Sequence, residues 1–200
     1  MGTTDSRPRV RLALAIYLLT VAAVALSDGR AIEGAAALIA QAFGFVLVST
    51  AVLGRLWTTL FIAGRKGQQL VVDGPYARAR HPLYSWSMVA ALGIGLSTRS
   101  AILTFALPVA IGIGVVLAAR REDAALQSSH DVAWRGYRDT VPAFWPAFSQ
   151  NALPEIIAVA TVIYRRAFLD AASFLFLWLC VILIEGLRAG GAWPGLFRLP

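Results

Sequence analysis

Long blocks of apolar residues, separated by short polar connections, are the feature that most constrains this 200-residue chain. A helix needs about 20 predominantly apolar residues to cross the hydrocarbon core of a bilayer. Only 14% of the residues are charged, whereas ordinary soluble domains carry about 25%. We therefore predict an all-α, polytopic membrane helical bundle that forms a single domain over residues 1–200. It has about five transmembrane helices, at Leu12 to Leu26, Glu33 to Ala63, Pro82 to Leu96, Ala101 to Ala119 and Ala171 to Leu187.

A polar stretch follows the fourth block and reads RREDAALQSSHDVAWRGYRDTVPAFWP. Its apolar side chains recur at helical spacing, which predicts an amphipathic helix at the cytosolic membrane interface between the fourth and fifth transmembrane helices. The segment from Glu155 to Tyr164 is too short to cross the bilayer, and we predict that it is interfacial or re-entrant. A sixth span at this point is the alternative.

The basic residues of the chain are distributed unevenly between the two sides of the predicted bundle. The formal net charge is +7, which in a chain of this kind indicates topology and contact with anionic lipid rather than with nucleic acid. One side holds the N-terminus and the polar segments around residues 74–86 and 120–146. The positive-inside rule places that side in the cytoplasm and the C-terminus on the opposite side of a bacterial inner membrane. The opposite side holds few basic residues: Arg30, Arg99, Arg188 and Arg198.

Cysteine and histidine are scarce, since the chain has only Cys180, His81 and His130. A single cysteine excludes an intramolecular disulfide and a cysteine-cluster metal site. Two histidines argue against a histidine-based site. We therefore expect no metal centre.

A polar, aromatic segment precedes the third block and reads GPYARARHPLYSW, residues 74–86. Pro82 fits the first position of a helix, and the free N–H groups that follow it favour an anion such as a carboxylate. Tyr76, Tyr84 and Trp86 offer aromatic faces for a flat heterocycle or a cation. The alternative is an interfacial anchor, because aromatic residues are also typical of a helix entrance at the membrane surface.

Some residues within the apolar blocks need a separate interpretation. Arg55 is a functional candidate because charges within spans are costly, and snorkelling to the interface is its alternative. Asp170 and Glu185 lie near the ends of the last block, where we expect their carboxylates to reach water. Two glycine pairs are expected to let helices pack closely: Gly93 with Gly95, and Gly112 with Gly114.

Several short motifs occur in a fixed order along residues 55 to 146. They are Leu70-Val71 with Gly74 and Tyr76, Arg80-His81-Pro82-Leu83-Tyr84, Glu122-Asp123 with Leu126, and Tyr137 followed by Val141-Pro142. In this order and spacing the chain resembles the isoprenylcysteine carboxyl methyltransferase and phospholipid methyltransferase superfamily of integral membrane enzymes. Three positions depart from that pattern: Gln68 replaces a frequent histidine, Asp123 replaces a glutamate, and Trp134 replaces a tyrosine.

The resemblance implies a binding site for S-adenosyl-L-methionine at the cytosolic ends of the helices. It implies cofactor contacts from Gln68, Gln69, Leu70, Val71, Tyr76, His81, Pro82, Leu83, Tyr84, Glu122 and Asp123. We expect catalytic roles for Arg80, His81 and Glu122. Candidate substrate contacts are Arg55, Arg121, Trp134 and Tyr137.

The expected reaction is methyl transfer to a lipophilic acceptor that enters from the bilayer. The acceptor group is a carboxyl, a thiol or an amine, and an anionic or easily deprotonated group is favoured because the sequence shows no clear buried base. One alternative is an NADPH-dependent membrane reductase of similar helical arrangement. Another is a non-catalytic membrane module. The sequence makes no prediction of oligomeric state.

Overall fold

The structure is a computed structural model that describes residues 18–26, 32–65, 69–147 and 153–192. Within these ranges the chain forms helices joined by turns and extended connections, and it forms no strand. The all-α prediction is therefore confirmed for the described residues. Helix α1 is described over residues 18–26, followed by α2 (Gly34–Ile62), α3 (Pro82–Ser97), α4 (Ala101–Thr140) and α5 (Thr161–Ala189).

The helices run alternately between two ends of the bundle. At one end, called the proximal end, the Ala160 N–H before α5 donates to the Ala63 carbonyl after α2, at 3.2 Å. The proximal end also holds Pro82, the first residue of α3. At the other end, called the distal end, the Arg99 guanidinium between α3 and α4 donates from Nε to the Ile32 carbonyl before α2, at 3.0 Å.

Helices α2, α4 and α5 are each long and apolar enough to cross a membrane. Their outward faces carry large apolar side chains, such as Leu38 and Phe105, that are about 70% exposed. Apolar faces of this size are typical of contact with lipid. Helix α3 has 16 residues and is about 24 Å long at 1.5 Å per residue. The number of about five transmembrane helices stays a prediction.

Small residues bring α3 close to its neighbours. A Cβ atom on Gly93 would lie 2.7 Å from the Gly44 carbonyl oxygen of α2, and one on Gly95 would lie 2.9 Å from the Leu103 carbonyl oxygen of α4. The packing expected of Gly93 and Gly95 is therefore confirmed. The same prediction is wrong for Gly114. A Cβ atom there would meet open space, because that part of α4 faces a cavity rather than a helix.

Helix α4 continues through the polar stretch instead of ending near Ala119. The residues that follow are compatible with a helix, and the backbone becomes non-helical only at His130, where φ is −133° and ψ is 18°. A second helical segment follows this kink and ends at Thr140. The predicted amphipathic helix thus exists as a continuation of α4, and its location at the membrane interface stays a prediction.

The segment predicted to be interfacial or re-entrant divides at Ala160. Residues 155–160 are not helical, whereas α5 begins at Thr161. No separate sixth span therefore forms there. The start of α5 lies ten residues before the predicted Ala171 because Arg165, Arg166 and Asp170 interrupt the apolar pattern without interrupting the helix.

Candidate active site

The segment that enters α3 is held by the residues that leave α4. The Arg80 N–H donates to the Pro142 carbonyl at 2.8 Å, and the His81 N–H donates to the Ala143 carbonyl at 2.9 Å. The Ser85 hydroxyl donates to the Phe144 carbonyl at 2.7 Å. Two motifs that are distant in the sequence are therefore joined main chain to main chain, and the first turn of α3 is fixed relative to the end of α4.

Asp123 fixes the two basic side chains at the entrance of α3. Its Oδ1 lies 2.7 Å from His81 Nε2, and its Oδ2 accepts from the Arg80 guanidinium at 3.0 Å. Arg80 also donates from Nε to the Val141 carbonyl at 3.0 Å. The His81 side chain is only 3% exposed. Both oxygens of Asp123 are thus used to orient His81 and Arg80.

Glu122 lies beside Asp123 but faces a cavity in the bundle. The Tyr84 hydroxyl donates to Glu122 Oε2 at 3.2 Å. The same oxygen is 3.9 Å from His81 Nδ1, and the His81 and Tyr84 rings stack with centroids 5.6 Å apart. His81 therefore lies between two consecutive acids, with Asp123 behind it and Glu122 on the cavity side.

The second segment of α4 packs behind this cluster. The Tyr137 hydroxyl donates to the Tyr76 carbonyl at 2.7 Å, and the Arg80 guanidinium lies over the Trp134 ring at 5.5 Å from its centroid. Trp134 is 1% exposed. Burial, with a smaller contribution from the charge of Glu122, raises the pKa of Tyr76 well above its usual range. Tyr76 is therefore neutral at physiological pH.

A cavity of about 490 Å³ runs from this cluster into the bundle. Helices α4 and α5 both line it. Among the described helices, α2 packs closely against α3 and α5, and α3 packs closely against α4 and α5, but α4 and α5 do not pack closely against each other. The cavity therefore separates α4 from α5. Its deeper walls are apolar and include Ile94, Leu107, Ile111, Phe174 and Leu177.

Arg55 points into the bundle between α2, α3 and α5. Its NH1 donates to the Leu83 carbonyl at 3.1 Å and to the Ser87 hydroxyl at 2.7 Å, and its NH2 pairs with Asp170. The guanidinium carbon lies 5.1 Å from the centroid of the Phe174 ring. Arg55 thus lines the cavity instead of snorkelling to the interface.

A family model described as phospholipid methyltransferase matches residues 31–130, the range that contains Arg55, His81 and Glu122. The chain belongs to the phospholipid methyltransferase family. The resemblance predicted from the sequence motifs is confirmed by this match.

Two relatives of this phospholipid methyltransferase family member carry names that refer to metal resistance. The nickel-cobalt-cadmium resistance protein NccN of Alcaligenes xylosoxydans xylosoxydans is 33% identical over 157 residues, which are 78% of this chain and 73% of the relative. The cobalt-zinc-cadmium resistance protein CzcN of Cupriavidus metallidurans is 36% identical over 132 residues, which are 66% of this chain and 61% of the relative. The chain thus spans somewhat less than two thirds of the second relative. No solved structure matches the chain significantly.

The family motifs place only part of the predicted residues at the cavity. The first turn of α3 is also less open than expected, because the N–H groups of Tyr84 and Ser85 both donate to the His81 carbonyl, at 3.1 and 3.3 Å. Gln68 lies outside the described residues. The predicted residues that line the cavity are Arg55, Tyr76, Arg80, His81, Leu83, Tyr84 and Glu122.

The other predicted residues do not line the cavity, for identifiable reasons. Val71 packs in a cluster with Phe61 and Tyr76, and Arg121 is exposed on the outer face of α4. The Trp86 ring, also suggested for ligand stacking, packs on α2 and donates to the Thr58 hydroxyl at 3.2 Å. The remaining predicted residues away from the cavity are Gln69, Leu70, Pro82, Asp123, Trp134 and Tyr137.

Four polar or aromatic residues of the cavity wall were not predicted from the sequence: Thr20, Ser87, Asp170 and Phe174. Asp170 was expected to be a solvated helix end; its side chain is 60% exposed and also pairs with Arg55. The signal was available, because an arginine within a span requires a partner and Asp170 is the acid nearest the start of the last block. Ser87 and Phe174 belong to the same part of the wall, since both contact the Arg55 guanidinium.

No group of three or more histidine, cysteine or acidic side chains is placed to hold a metal ion in the part of the chain that the structure describes. Glu122 and Asp123 instead use their oxygens on neighbouring side chains. The acidic pair is therefore arranged for hydrogen bonding.

Proposed function

We propose that the chain transfers a methyl group from S-adenosyl-L-methionine to a lipophilic acceptor at the cytoplasmic face of the membrane. The observation that carries this proposal is the cavity that joins a polar end, formed by His81, Tyr84 and Glu122, to an apolar interior between α4 and α5. Its volume of about 490 Å³ is within the usual range for small-molecule sites, about 300–1,000 Å³. Family membership supports the same reaction class.

The residues at the polar end fit the chemical groups of the methyl donor. S-adenosyl-L-methionine supplies a sulfonium-activated methyl group, together with an ammonium group, a carboxylate, ribose hydroxyls and an adenine ring. The Glu122 carboxylate is suited to the ammonium or ribose hydroxyls, and the Tyr84 ring to adenine or the sulfonium. Arg80 and His81 are held by Asp123, and their hydrogen-bonding groups would suit the carboxylate of the methyl donor.

The catalytic contribution of the protein is mainly alignment and exclusion of water. Tyr84 and Glu122 fix each other through one hydrogen bond, which gives the donor a defined wall. The apolar walls around Leu107, Ile111 and Phe174 accept the hydrocarbon tail of the acceptor. The gap between α4 and α5 provides an entrance for the acceptor from the bilayer.

The cytoplasmic location of the site is supported by the charges near it. Arg65, Arg78, Arg80, Arg120 and Arg121 all lie at or beyond the proximal end, where the positive-inside rule predicts the cytoplasm. A soluble cytosolic methyl donor reaches the polar end of the cavity from this side.

The test is calorimetric titration of S-adenosyl-L-methionine and of its demethylated product into detergent-purified protein. We expect binding by the wild type and a loss of about tenfold in affinity for Glu122→Gln, since a charge-assisted hydrogen bond contributes about 1.5–3 kcal/mol. Asp131→Asn is the matched control, because Asp131 is an exposed acid on the same helix. Absence of binding by folded wild-type protein contradicts the proposal, and binding of NADPH in its place supports the reductase alternative.

The names of the two relatives suggest a cellular role for this reaction. We propose that methyl transfer by this chain contributes to resistance to divalent metal cations such as nickel, cobalt, zinc or cadmium, as those names state for the relatives. In this proposed role the methylated product provides the protection.

This role is testable by growth of a metal-sensitive bacterium that expresses the wild type, Glu122→Gln or Asp131→Asn. We expect protection by the wild type and by Asp131→Asn, and none by Glu122→Gln. Equal protection by all three at equal protein levels contradicts a role through methyl transfer.

A further inference from the structure

The segment that leaves α4 lies across the entrance of α3. We call this segment, residues 142–147, the strap, and its backbone is not helical. The Phe144 carbonyl accepts from the Ser85 hydroxyl at 2.7 Å. Further along the strap, the Ala147 N–H donates to the Arg78 carbonyl at 2.9 Å. The strap is therefore fixed both to the first turn of α3 and to the residues that lead into it.

The strap lies on a face of α3 that the other described helices leave partly open. Ser85 and Leu92 are seven residues apart, which is about two helical turns, so their side chains lie on the same face of α3. Leu92 is 37% exposed, and neither residue lines the cavity. The strap thus lies where the outward face of α3 reaches the proximal end.

The length of α3 places the strap at the boundary of the bilayer. Helix α3 packs against α2, which is long and apolar enough to cross a membrane. With 16 residues, α3 is about 24 Å long, whereas the hydrocarbon core is about 30 Å thick. Non-helical backbone at such a depth needs hydrogen-bond partners within the protein. The strap supplies them, because the Arg80 and His81 N–H groups donate to its Pro142 and Ala143 carbonyls.

The two aromatic side chains of the strap have different surroundings. The Phe144 ring contacts the His81 ring, with centroids 5.8 Å apart, whereas Trp145 is 81% exposed. Tryptophan is enriched at the level of the lipid head groups, where its amphipathic ring contacts both hydrocarbon and water. The Trp145 ring is therefore suited to insertion between lipids at the boundary.

Arg78 adds a positive charge beside the strap, and it is exposed. The acids of the neighbouring motifs are engaged by other arginines. Asp73 pairs with Arg65 at 2.9 Å, and Asp123 pairs with Arg80 at 3.0 Å. Because an arginine is attracted to the surface of an anionic bilayer, Arg78 complements the phosphate of an anionic lipid.

We propose that the strap is a docking surface for the bilayer, with Trp145 inserted at the boundary between hydrocarbon and head groups and Arg78 bound to the phosphate of an anionic lipid. The partner is the lipid surface of the leaflet at the proximal end, and not a second protein. Since the strap also binds the backbone of Arg80 and His81, this contact links the entrance of α3 to the membrane. The role is independent of the proposed methyl transfer.

The first experiment measures the depth of the strap in nanodiscs of phosphatidylglycerol and phosphatidylcholine. A nitroxide is attached to Trp145→Cys in a Cys180→Ser background. Its collisions with molecular oxygen, which is concentrated in hydrocarbon, are compared with its collisions with a water-soluble nickel chelate. Ile113→Cys and Val132→Cys are the matched controls, since Ile113 is 60% exposed on the apolar part of α4 and Val132 is 83% exposed after the kink.

We expect the ratio of oxygen to nickel collisions at Trp145 to lie clearly above that at Val132 and below that at Ile113. A ratio equal to that at Val132 places the strap in water and overturns the inference. A nitroxide that neither reagent reaches is covered by protein, which also overturns it and makes the strap an interface between copies of the chain. All three positions are exposed, so the variants are expected to unfold at the wild-type temperature.

The second experiment measures lipid binding by native mass spectrometry of detergent-purified protein with added phosphatidylglycerol or phosphatidylcholine. We expect Arg78→Gln to bind phosphatidylglycerol about fivefold more weakly than the wild type, as the loss of one arginine at an anionic surface implies, and phosphatidylcholine equally well. Arg135→Gln is the matched control, because Arg135 is exposed but already pairs with Asp131, and it is expected to bind as the wild type does. Equal binding of phosphatidylglycerol by Arg78→Gln and the wild type overturns the assignment of the anionic lipid to Arg78.

Discussion

The His81 imidazole and the Asp123 carboxylate lie 2.7 Å apart, with the ring almost fully buried. Because the second oxygen of Asp123 binds Arg80, this acid holds both basic side chains at the entrance of α3. Glu122, the preceding residue, faces the cavity. Two adjacent acids in one motif therefore have different structural positions, and their substitutions are expected to differ.

We expect Asp123→Asn to lower the free energy of unfolding by about 2 kcal/mol, because it weakens the hydrogen bonds to His81 and to the Arg80 guanidinium. Glu122→Gln is expected to change stability less and to weaken binding of the methyl donor more directly. Thermal unfolding in detergent and calorimetric titration measure the two effects separately. Equal stability losses for both variants would contradict the distinction between them.

The buried Tyr76 predicts a loss of stability in alkaline solution. Burial and the neighbouring Glu122 raise its pKa in the folded protein, while the unfolded chain retains a tyrosine pKa of about 10. The stabilising contribution is complete below about pH 10 and is lost as the pH rises further, because only the unfolded state then releases the proton. Tyr76→Phe is expected to reduce this alkaline loss, as measured by thermal unfolding from about pH 8 to 11. An unchanged pH dependence in the variant would argue against the assignment.

Apolar blocks predicted where the described helices occur, because a segment that crosses a bilayer is constrained in both length and composition. The observed α3 begins at Pro82, as predicted, since proline is favoured at the first helical position. The predicted end of α4 was wrong because the composition becomes polar at Arg120 while the helical propensity does not fall. The start of α5 was wrong for the same reason.

The candidate site was only partly predictable. Its motifs identify the segments that form the site, but they do not indicate the direction in which each side chain points. His81, Tyr84 and Glu122 line the cavity as the motifs indicated, but Val71 and Trp86 turn towards neighbouring side chains and α2. Direction depends on helix packing that a single sequence does not encode locally. Asp170 shows the remaining gap, since an arginine within a span requires a partner but the structure is what identifies Asp170 as that partner.

Close packing of α2 against α3 predicts sensitivity at Gly54. A Cβ atom there would overlap the Trp86 ring, so Gly54→Ala is expected to lower the free energy of unfolding by about 1–3 kcal/mol through overpacking. Gly136→Ala is the matched control, because Gly136 is also helical and has open space around it. It is expected to be neutral or to stabilise α4 by about 0.5–1 kcal/mol. The prediction fails if both variants unfold alike in detergent.

The distal end contains a buried ion pair where the sequence indicated a solvated acid. Arg188 donates to Glu185 at 2.9 Å and also to the Val24 carbonyl, and both side chains are 2% exposed. Glu185→Gln leaves a buried arginine uncompensated and is expected to cost about 3–5 kcal/mol of stability. Asp131→Asn, which removes an exposed partner of Arg135, is expected to cost less than about 1 kcal/mol. Similar unfolding temperatures for the two variants would contradict the structural role of Glu185.

The predicted orientation is testable by labelling single cysteines in a variant that carries Cys180→Ser. Ser128 is exposed on α4 beyond the proximal end, and Ala192 is exposed after α5 at the distal end. The positive-inside rule places the arginine-rich proximal end in the cytoplasm. A membrane-impermeant maleimide is therefore expected to label Ala192→Cys in intact spheroplasts, and Ser128→Cys only after permeabilisation. The reverse pattern would place the polar end of the cavity away from the cytosolic methyl donor and would contradict the proposed function together with the topology.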